Sequence, residues 1–349
     1  MGGGAALHRL AEEIYALRRK VGERMQYYLR KNFEPSSLAY KLLSDYPTRP
    51  SKGIRPAFCL AAAASVGGDY ANAVNTGAAI ELLHNAFLIK DDVVDQSIYR
   101  RGDLTLNRKY GLALAANAGD ALKILSMSPL IDNIEVIGVR KSLQVILEIQ
   151  TMANRSVAGQ ITELTYVKSN TTDLTPKDYF DLCENKTCWY TTIAPCRTGL
   201  IIGSDLATAG QLDAFTRFAL KLGLAFQITD DTLNLSASAK VYGKEINGDL
   251  LEGKRTLILI HMLNSATPGE LKRMRGILRK ERDAKSQSEV EFIRGLMKKY
   301  SSIEYARGVA EGLAEEARDI LLNECGWMTE SRWKNFFLDQ TNYIVNRKR

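Results

Sequence analysis

Proline is scarce, with 8 in 349 residues. With so few helix breakers, and with little alternation of apolar and polar side chains, a strand-rich architecture is excluded and long helices are expected. Cysteine is sparse too. Cys59, Cys183, Cys188, Cys196 and Cys325 are odd in number and lack C-x-x-C spacing. That pattern excludes a disulfide framework and a cysteine zinc site, and predicts reduced, buried thiols in a cytoplasmic protein. No apolar run approaches about 18 residues, so neither a transmembrane helix nor a signal peptide is expected. The opening Met1-Gly2-Gly3-Gly4 reads as part of a flexible tail over residues 1–6, and Ala6 stands where a myristoylation pattern wants Ser or Thr.

What is present is ordinary for a globular chain: 45% hydrophobic and 25% charged residues, with a net charge of +7. The basic tracts Arg18-Arg19-Lys20 and Arg347-Lys348-Arg349 carry no interleaved aromatics and no recognised nucleic-acid motif. A basic protein handling an anionic small molecule accounts for the charge, and no nucleic-acid partner is expected. No sharp shift in composition divides the chain. The expectation is one all-α domain over residues 1–349.

The chain is organised around Glu81–Thr105. Ile80 to Asp95 reads as a helix, with Leu83, Phe87 and Val94 at helical spacing. Asp91 and Asp95 stand four residues apart on one face, and Asp92 flanks them. Three unpaired carboxylates this close repel, and a hard cation such as Mg²⁺ relieves the repulsion while bridging to phosphate. The acids end an apolar column, and Arg100-Arg101-Gly102 follows closely. The pattern F-x-I-x-D-D recurs at Phe226–Asn234, with Asp230 and Asp231. Two such helices facing each other would line one cavity with ligands for a metal-bound diphosphate.

Other stretches add cations. Lys52 and Arg55 gather in Ser51–Pro56 before the Ala-rich helix Ala57–Val66, a ready anion site. Lys186-Thr187 lies in a mostly apolar helix, where a buried lysine needs an anionic partner. Lys244 and Lys254 sit in Gly-hinged loops after the second acid helix. Helices are further expected over Leu7–Leu29, Asn107–Leu125, Val145–Tyr166, Leu212–Asn234 and Leu257–Leu263, with Thr175 capping a helix start. Trp189, Trp327 and Trp333 read as core or interface anchors, and Gln160 and Glu163 share a helix face.

Together these residues resemble the trans-isoprenyl diphosphate synthases, or polyprenyl synthetases, such as geranylgeranyl diphosphate synthases. KGIRP, ELLHNA, DDVVD, RRG, GQ, KT, FQITDD, YGKE and GDLLEGKRT occur in the right order from Lys52 to Thr256. The resemblance implies an all-α bundle of antiparallel helices around a deep cavity, usually a homodimer. It implies that Asp91, Asp92 and Asp95 on one side and Asp230 on the other hold an allylic diphosphate through several Mg²⁺ ions. Arg100, Lys186, Gln227 and Lys244 would steady the phosphates, with Thr187 and Asp231 beside them and Lys254 closing over. Lys52, Arg55, His84 and Arg101 would hold isopentenyl diphosphate. The reaction implied is head-to-tail prenyl transfer giving a longer all-trans prenyl diphosphate.

Three departures stand out: Asn234 ends the second motif, Lys90 precedes Asp91, and Leu104 replaces a common Pro. On helical spacing, the growing tail passes Phe87, Ala86 and Leu83. Small Ala86 leaves room where an aromatic side chain would stop the tail, which predicts a twenty-carbon product, with fifteen carbons as the alternative. A class I terpene cyclase is disfavoured because it has no use for a second diphosphate pocket. A non-catalytic partner subunit is disfavoured because the metal motifs keep nearly all their acids.

Overall fold

A computed structural model describes residues 2–236, 247–329 and 331–346, with side chains described for Glu12 and from Ile14 onward within these ranges, Ser236 and Ser331 excepted. The first helix, α1 (Gly2–Asn32), buries Ile14, Leu17, Val21 and Met25, the apolar stripe expected from the sequence. It runs back to Gly2, through the segment expected as a flexible tail. Once a helix is nucleated, each added residue gains a hydrogen bond, and this extends α1 beyond its packed stripe. Helices α2 (Leu38–Thr48) and α3 (Ile54–Ser65) follow, and α3 is almost wholly buried.

The central helix α4 (Val74–Val94) packs against α1 and α3 and is buried on most sides, which explains its apolar, weakly amphipathic sequence. After it the chain forms a two-stranded hairpin, β1 (Tyr99–Arg100) and β2 (Asp103–Leu104). Its two turn residues, Arg101 (φ 53°) and Gly102 (φ 82°), both lie in the left-handed region, as a tight hairpin turn requires. The helix expected over Asn107–Leu125 is two helices, α5 (Leu106–Tyr110) and α6 (Leu112–Leu125), broken at Gly111. Helix α7 (Met127–Lys168) is longer than expected and breaks at Gly138.

The Thr175 cap begins α8 (Pro176–Cys183), with the Asp178 carboxylate accepting from the Thr175 backbone N–H at 2.8 Å in return. A π-helical segment, Glu184–Ile193, then leads into α9 (Ala194–Gly203). The second acid helix is α10 (Ala209–Ser236). A short helix α11 (Gly248–Glu252), the apolar α12 (Leu257–Ser265), and α13 (Pro268–Leu278) and α14 (Gln287–Lys299) come next. The chain closes with α15 (Ser302–Asn323) and α16 (Ser331–Asn346).

The result is the expected all-α bundle, with 82% of the described residues helical. Phe58 of α3, Phe215 and Phe218 of α10, and Phe336 and Phe337 of α16 interlock with ring centroids 5.2–6.2 Å apart. Each such pair adds roughly 0.5–1.5 kcal/mol beyond area burial. Trp327 packs edge-on against Phe215 and Trp333 against Phe336, as expected of core anchors. All five cysteines are buried and free. Among the described residues no helix is long and apolar enough to cross a membrane.

Candidate active site

The C-terminal end of α4 and the residues after α10 meet at one small cavity of about 40 Å³. Asp91, Asp95, Asn234, Asp249, Glu252 and Lys254 are among the residues lining it. Successive helical residues point about 100° apart, so Asp91 and Asp95, four apart, share this face. Asp92 is fully buried and turned inward. Its carboxylate accepts from Arg100 Nε at 3.0 Å, from Arg100 Nη2, and from the Tyr46 hydroxyl at 2.6 Å. Asp92, expected among the metal ligands, has both oxygens engaged by protein donors and anchors the hairpin. Arg100, expected to steady phosphate, is buried against it, lies 3.8 Å from Asp91 and lines the cavity. The sequence signal for Asp92 was proximity alone, whereas its partner Tyr46 comes from α2, far along the chain.

Helix α10 repeats the arrangement. Asp231 is buried and accepts from the Tyr179 hydroxyl at 2.8 Å and from Gln227 Nε2 at 2.7 Å. Among the described residues no cation pairs with it, and burial first, then Asp249, pushes its carboxyl well above the usual carboxylate range. Gln227, expected to steady phosphate, is thus committed to Asp231. Asp230 stands beside it, half-buried. Asn234 Oδ1 accepts from the Asp249 backbone N–H at 3.4 Å, and the Asn234 carbonyl accepts from the Asn247 N–H at 3.1 Å. The residue that departs from an all-acid motif therefore tethers the start of α11.

Two lysines balance the facing acids. Lys254 Nζ lies 2.6 Å from Asp95 Oδ2 and 2.7 Å from Glu252 Oε2. Lys186 Nζ pairs with Glu163 Oε2 and lies 3.7 Å from Asp91 Oδ1. The surrounding carboxylates outweigh burial and hold both lysines well above their ordinary pKa. Burial pushes the Asp95 carboxyl up to about 7, with Lys254 opposing and Asp91 and Glu252 adding to the rise. Glu163, Asp249 and Glu252 are the acids that sequence reasoning undervalued. The GDLLEG stretch before Lys254 carried the signal for the last two. At Gly159 of α7, one turn from Glu163, a Cβ would stand 2.3 Å from the Lys186 backbone nitrogen, so only glycine permits this approach. Thr187 is buried in the π-helical segment.

Among the described residues no three acids or histidines converge on one point. Mg²⁺ is commonly held by one or two carboxylates with substrate phosphates and water completing its shell, so this spread set fits an ion shared with a diphosphate. The Lys254 ammonium between Asp95 and Glu252 shows that these carboxylates accept a cation there. Lys244 lies outside the described residues.

A second cluster forms around Tyr190. Its ring stacks on His84 (5.7 Å, 22°), meets Phe87 edge-on at 5.7 Å, and lies 4.7 Å beneath the Arg55 guanidinium. Arg55 also donates to Thr191 Oγ1 at 3.0 Å, and its buried Nε has no protein acceptor. Arg101 donates to the Tyr46 carbonyl and to Asn85 Oδ1. Burial pulls Arg101 down to about 10, with Arg100, Arg55 and Arg18 adding to the fall and Glu81 opposing it. Lys52 is exposed at the rim. Of the tail residues, Ala86 and Leu83 are buried and Phe87 faces Tyr190. Lys90 is exposed, on the side of Asp120, and does not face Asp91's cavity.

The sequence model of the polyprenyl synthetase family matches residues 36–297. The geranylgeranyl diphosphate synthase of Sulfolobus acidocaldarius is 32% identical over 280 residues, covering 78% of this chain and 81% of its own. The octaprenyl diphosphate synthase of Haemophilus influenzae is 28% identical over 296 residues, covering 85% of this chain and 84% of its own. A solved geranylgeranyl pyrophosphate synthase from Corynebacterium glutamicum, complexed with isoprenyl diphosphate and magnesium, shares the fold at 19% identity. Its TM-score is 0.84, over 97% of this chain and 99% of its own. The family match spans most of the sequence, the fold agrees, and the chain accordingly belongs to the polyprenyl synthetase family, whose members are prenyltransferases that make prenyl diphosphates.

Proposed function

We propose that this chain condenses an allylic diphosphate with isopentenyl diphosphate to give geranylgeranyl diphosphate and inorganic diphosphate. The observation that carries this reading is the acid-lined cavity between α4 and α11, with Lys186 and Lys254 set among its carboxylates and a separate arginine cluster beside it. A site for one diphosphate alone would need only the first.

Asp91, Asp95 and Asp230 would hold Mg²⁺ shared with the allylic diphosphate; when bound, the metal draws negative charge off the leaving group. Lys186 and Lys254, kept protonated by Glu163 and Glu252, present N–H donors and positive charge to the phosphate oxygens. As the allylic C–O bond breaks, the isopentenyl double bond attacks the resulting cation. A carbon–carbon bond forms, and a proton leaves to the departing diphosphate. Arg55, His84 and Arg101, with Lys52 at the rim, hold isopentenyl diphosphate so that its double bond faces the cation. Tyr190 keeps these groups in register with Phe87. Asp92, Arg100 and Tyr46 fix the end of α4 and with it Asp91 and Asp95. No nucleophilic serine or cysteine takes part.

The twenty-carbon length rests on small, buried Ala86 beside Phe87 and Leu83. A homodimer is supported by the exposed apolar side chains of α6 and α7, Ile124, Ile131, Val139, Leu143, Leu147 and Ile161. Such a patch on one face marks an interface. A cytoplasmic location is in keeping with the buried thiols. The test is to incubate the protein with Mg²⁺, labelled isopentenyl diphosphate and each allylic diphosphate, and to measure product length. Elongation to twenty carbons is expected, and shorter product from Ala86→Phe. A cyclic hydrocarbon formed without isopentenyl diphosphate would overturn the reading, and an unchanged product from Ala86→Phe would remove Ala86 from it.

A further inference from the structure

The arginine cluster has a member on a helix that the motifs never reach. Gly53, in the loop that carries Lys52 and Arg55, has φ 65°. A Cβ there would stand 2.8 Å from Arg18 Cβ and Cγ and 2.9 Å from its Cδ. The aliphatic stem of Arg18 therefore lies flat on Gly53, and any side chain at 53 would displace it. Arg18 then lines a cavity of about 190 Å³ together with Ser51, Pro56 and Glu81.

The charges in this corner do not balance. Arg55 donates to a threonine hydroxyl, and Arg101 donates to a carbonyl and an amide oxygen. No acid among the described residues forms an ion pair with Arg18, Arg55 or Arg101. Glu81, buried at the base of the cavity, is the acid that opposes them. Three guanidinium groups near one carboxylate repel each other. An anion of more than one charge among them relieves that repulsion. Guanidinium groups suit phosphate oxygens through paired N–H donors.

We propose that Arg18 is a further cation of the isopentenyl diphosphate site, delivered by α1 across Gly53 to the same diphosphate as Arg55 and Arg101. This rests on the assignment of that pocket to isopentenyl diphosphate. Arg18 binds and positions the homoallylic substrate and has no part at the allylic diphosphate.

Steady-state kinetics of the full chain with Mg²⁺ test it, each substrate being varied in turn, for Arg18→Gln, Arg18→Lys and, as the pocket's control, Arg55→Gln. Arg18→Gln should raise KM for isopentenyl diphosphate about tenfold, the range of a lost charge-assisted hydrogen bond. KM for the allylic diphosphate should move less than about twofold, and Arg18→Lys should recover most of the loss by keeping the charge. If Arg55→Gln raises KM for isopentenyl diphosphate and Arg18→Gln does not, the inference is wrong while the pocket assignment stands. If neither does, the pocket assignment itself fails and takes the inference with it. Equal rises in both KM values, or a loss of thermal stability that Arg18→Lys fails to recover, would make Arg18 a structural residue and overturn the proposal.

Discussion

The two acid helices look alike in sequence and differ in how their charge is held. In each, the second aspartate turns into the protein and accepts from a tyrosine hydroxyl on another helix, Tyr46 for Asp92 and Tyr179 for Asp231. Asp92 also has a buried arginine, whereas Asp231 has the Gln227 amide and, among the described residues, no cation. Among the described residues, Asp92 therefore has a cation matched to its charge and Asp231 does not. In the first motif, the cavity-lining acids Asp91 and Asp95 have Lys186 and Lys254 as neighbours. In the second, Asn234 takes the place of the last acid and spends its side chain on α11. The lesson is that the repeated aspartate pair encodes two jobs. In the first motif Asp91 faces the cavity, and in both motifs the second aspartate fastens the helix, among the described residues by an ionic contact on one side and neutral ones on the other.

The largest effect should follow from removing a cavity-facing acid. Asp91→Asn should lower kcat on the order of a thousandfold with little change in melting temperature, because the loss falls on charge stabilisation in the transition state. A large stability loss instead would mean that Asp91, like Asp92, is a fastener. Next in size is the ionic fastening itself. Arg100→Gln leaves the Asp92 carboxylate buried without its cation and should cost about 3–5 kcal/mol of unfolding free energy in urea. A smaller effect concerns pH. The Asp95 carboxyl is held at about 7 against an ordinary value of 3.8. The folded protein binds the extra proton in between, so in chelator its stability should fall as pH rises from about 4 to about 7. Asp95→Asn should flatten that slope, and an unchanged slope would assign it to other groups.

Much of this was legible in the sequence because helical spacing converts directly into shared faces. Asp91 with Asp95, the α1 stripe and the Thr175 cap follow from local periodicity. What periodicity could not reveal were partners far along the chain. Tyr46 and Arg49 of the α2 region, Tyr179 of α8 and Glu163 of α7 meet the motifs only once the bundle closes. Arg49 donates to the Arg100 and Leu104 carbonyls at 2.7 Å each, and so braces the hairpin that aims Arg100 inward. The partners of Asp92 were hidden for the same reason. A carboxylate beside two cavity-facing acids looks like a third until a residue 46 positions away is seen to bind it. The break at Gly111 and the left-handed turn residue Arg101 were equally hidden, since both depend on backbone angles that the packed elements impose.

The measurement that bears most directly on the division between the motifs is urea unfolding of Asp92→Asn and Asp231→Asn side by side, without metal, at pH 7. Asp92→Asn strands a buried arginine and should lose about 3–5 kcal/mol. Asp231→Asn removes no cation's partner among the described residues and keeps an acceptor for Tyr179, so it should lose less than about 1 kcal/mol. Equal losses in the two variants would contradict the account.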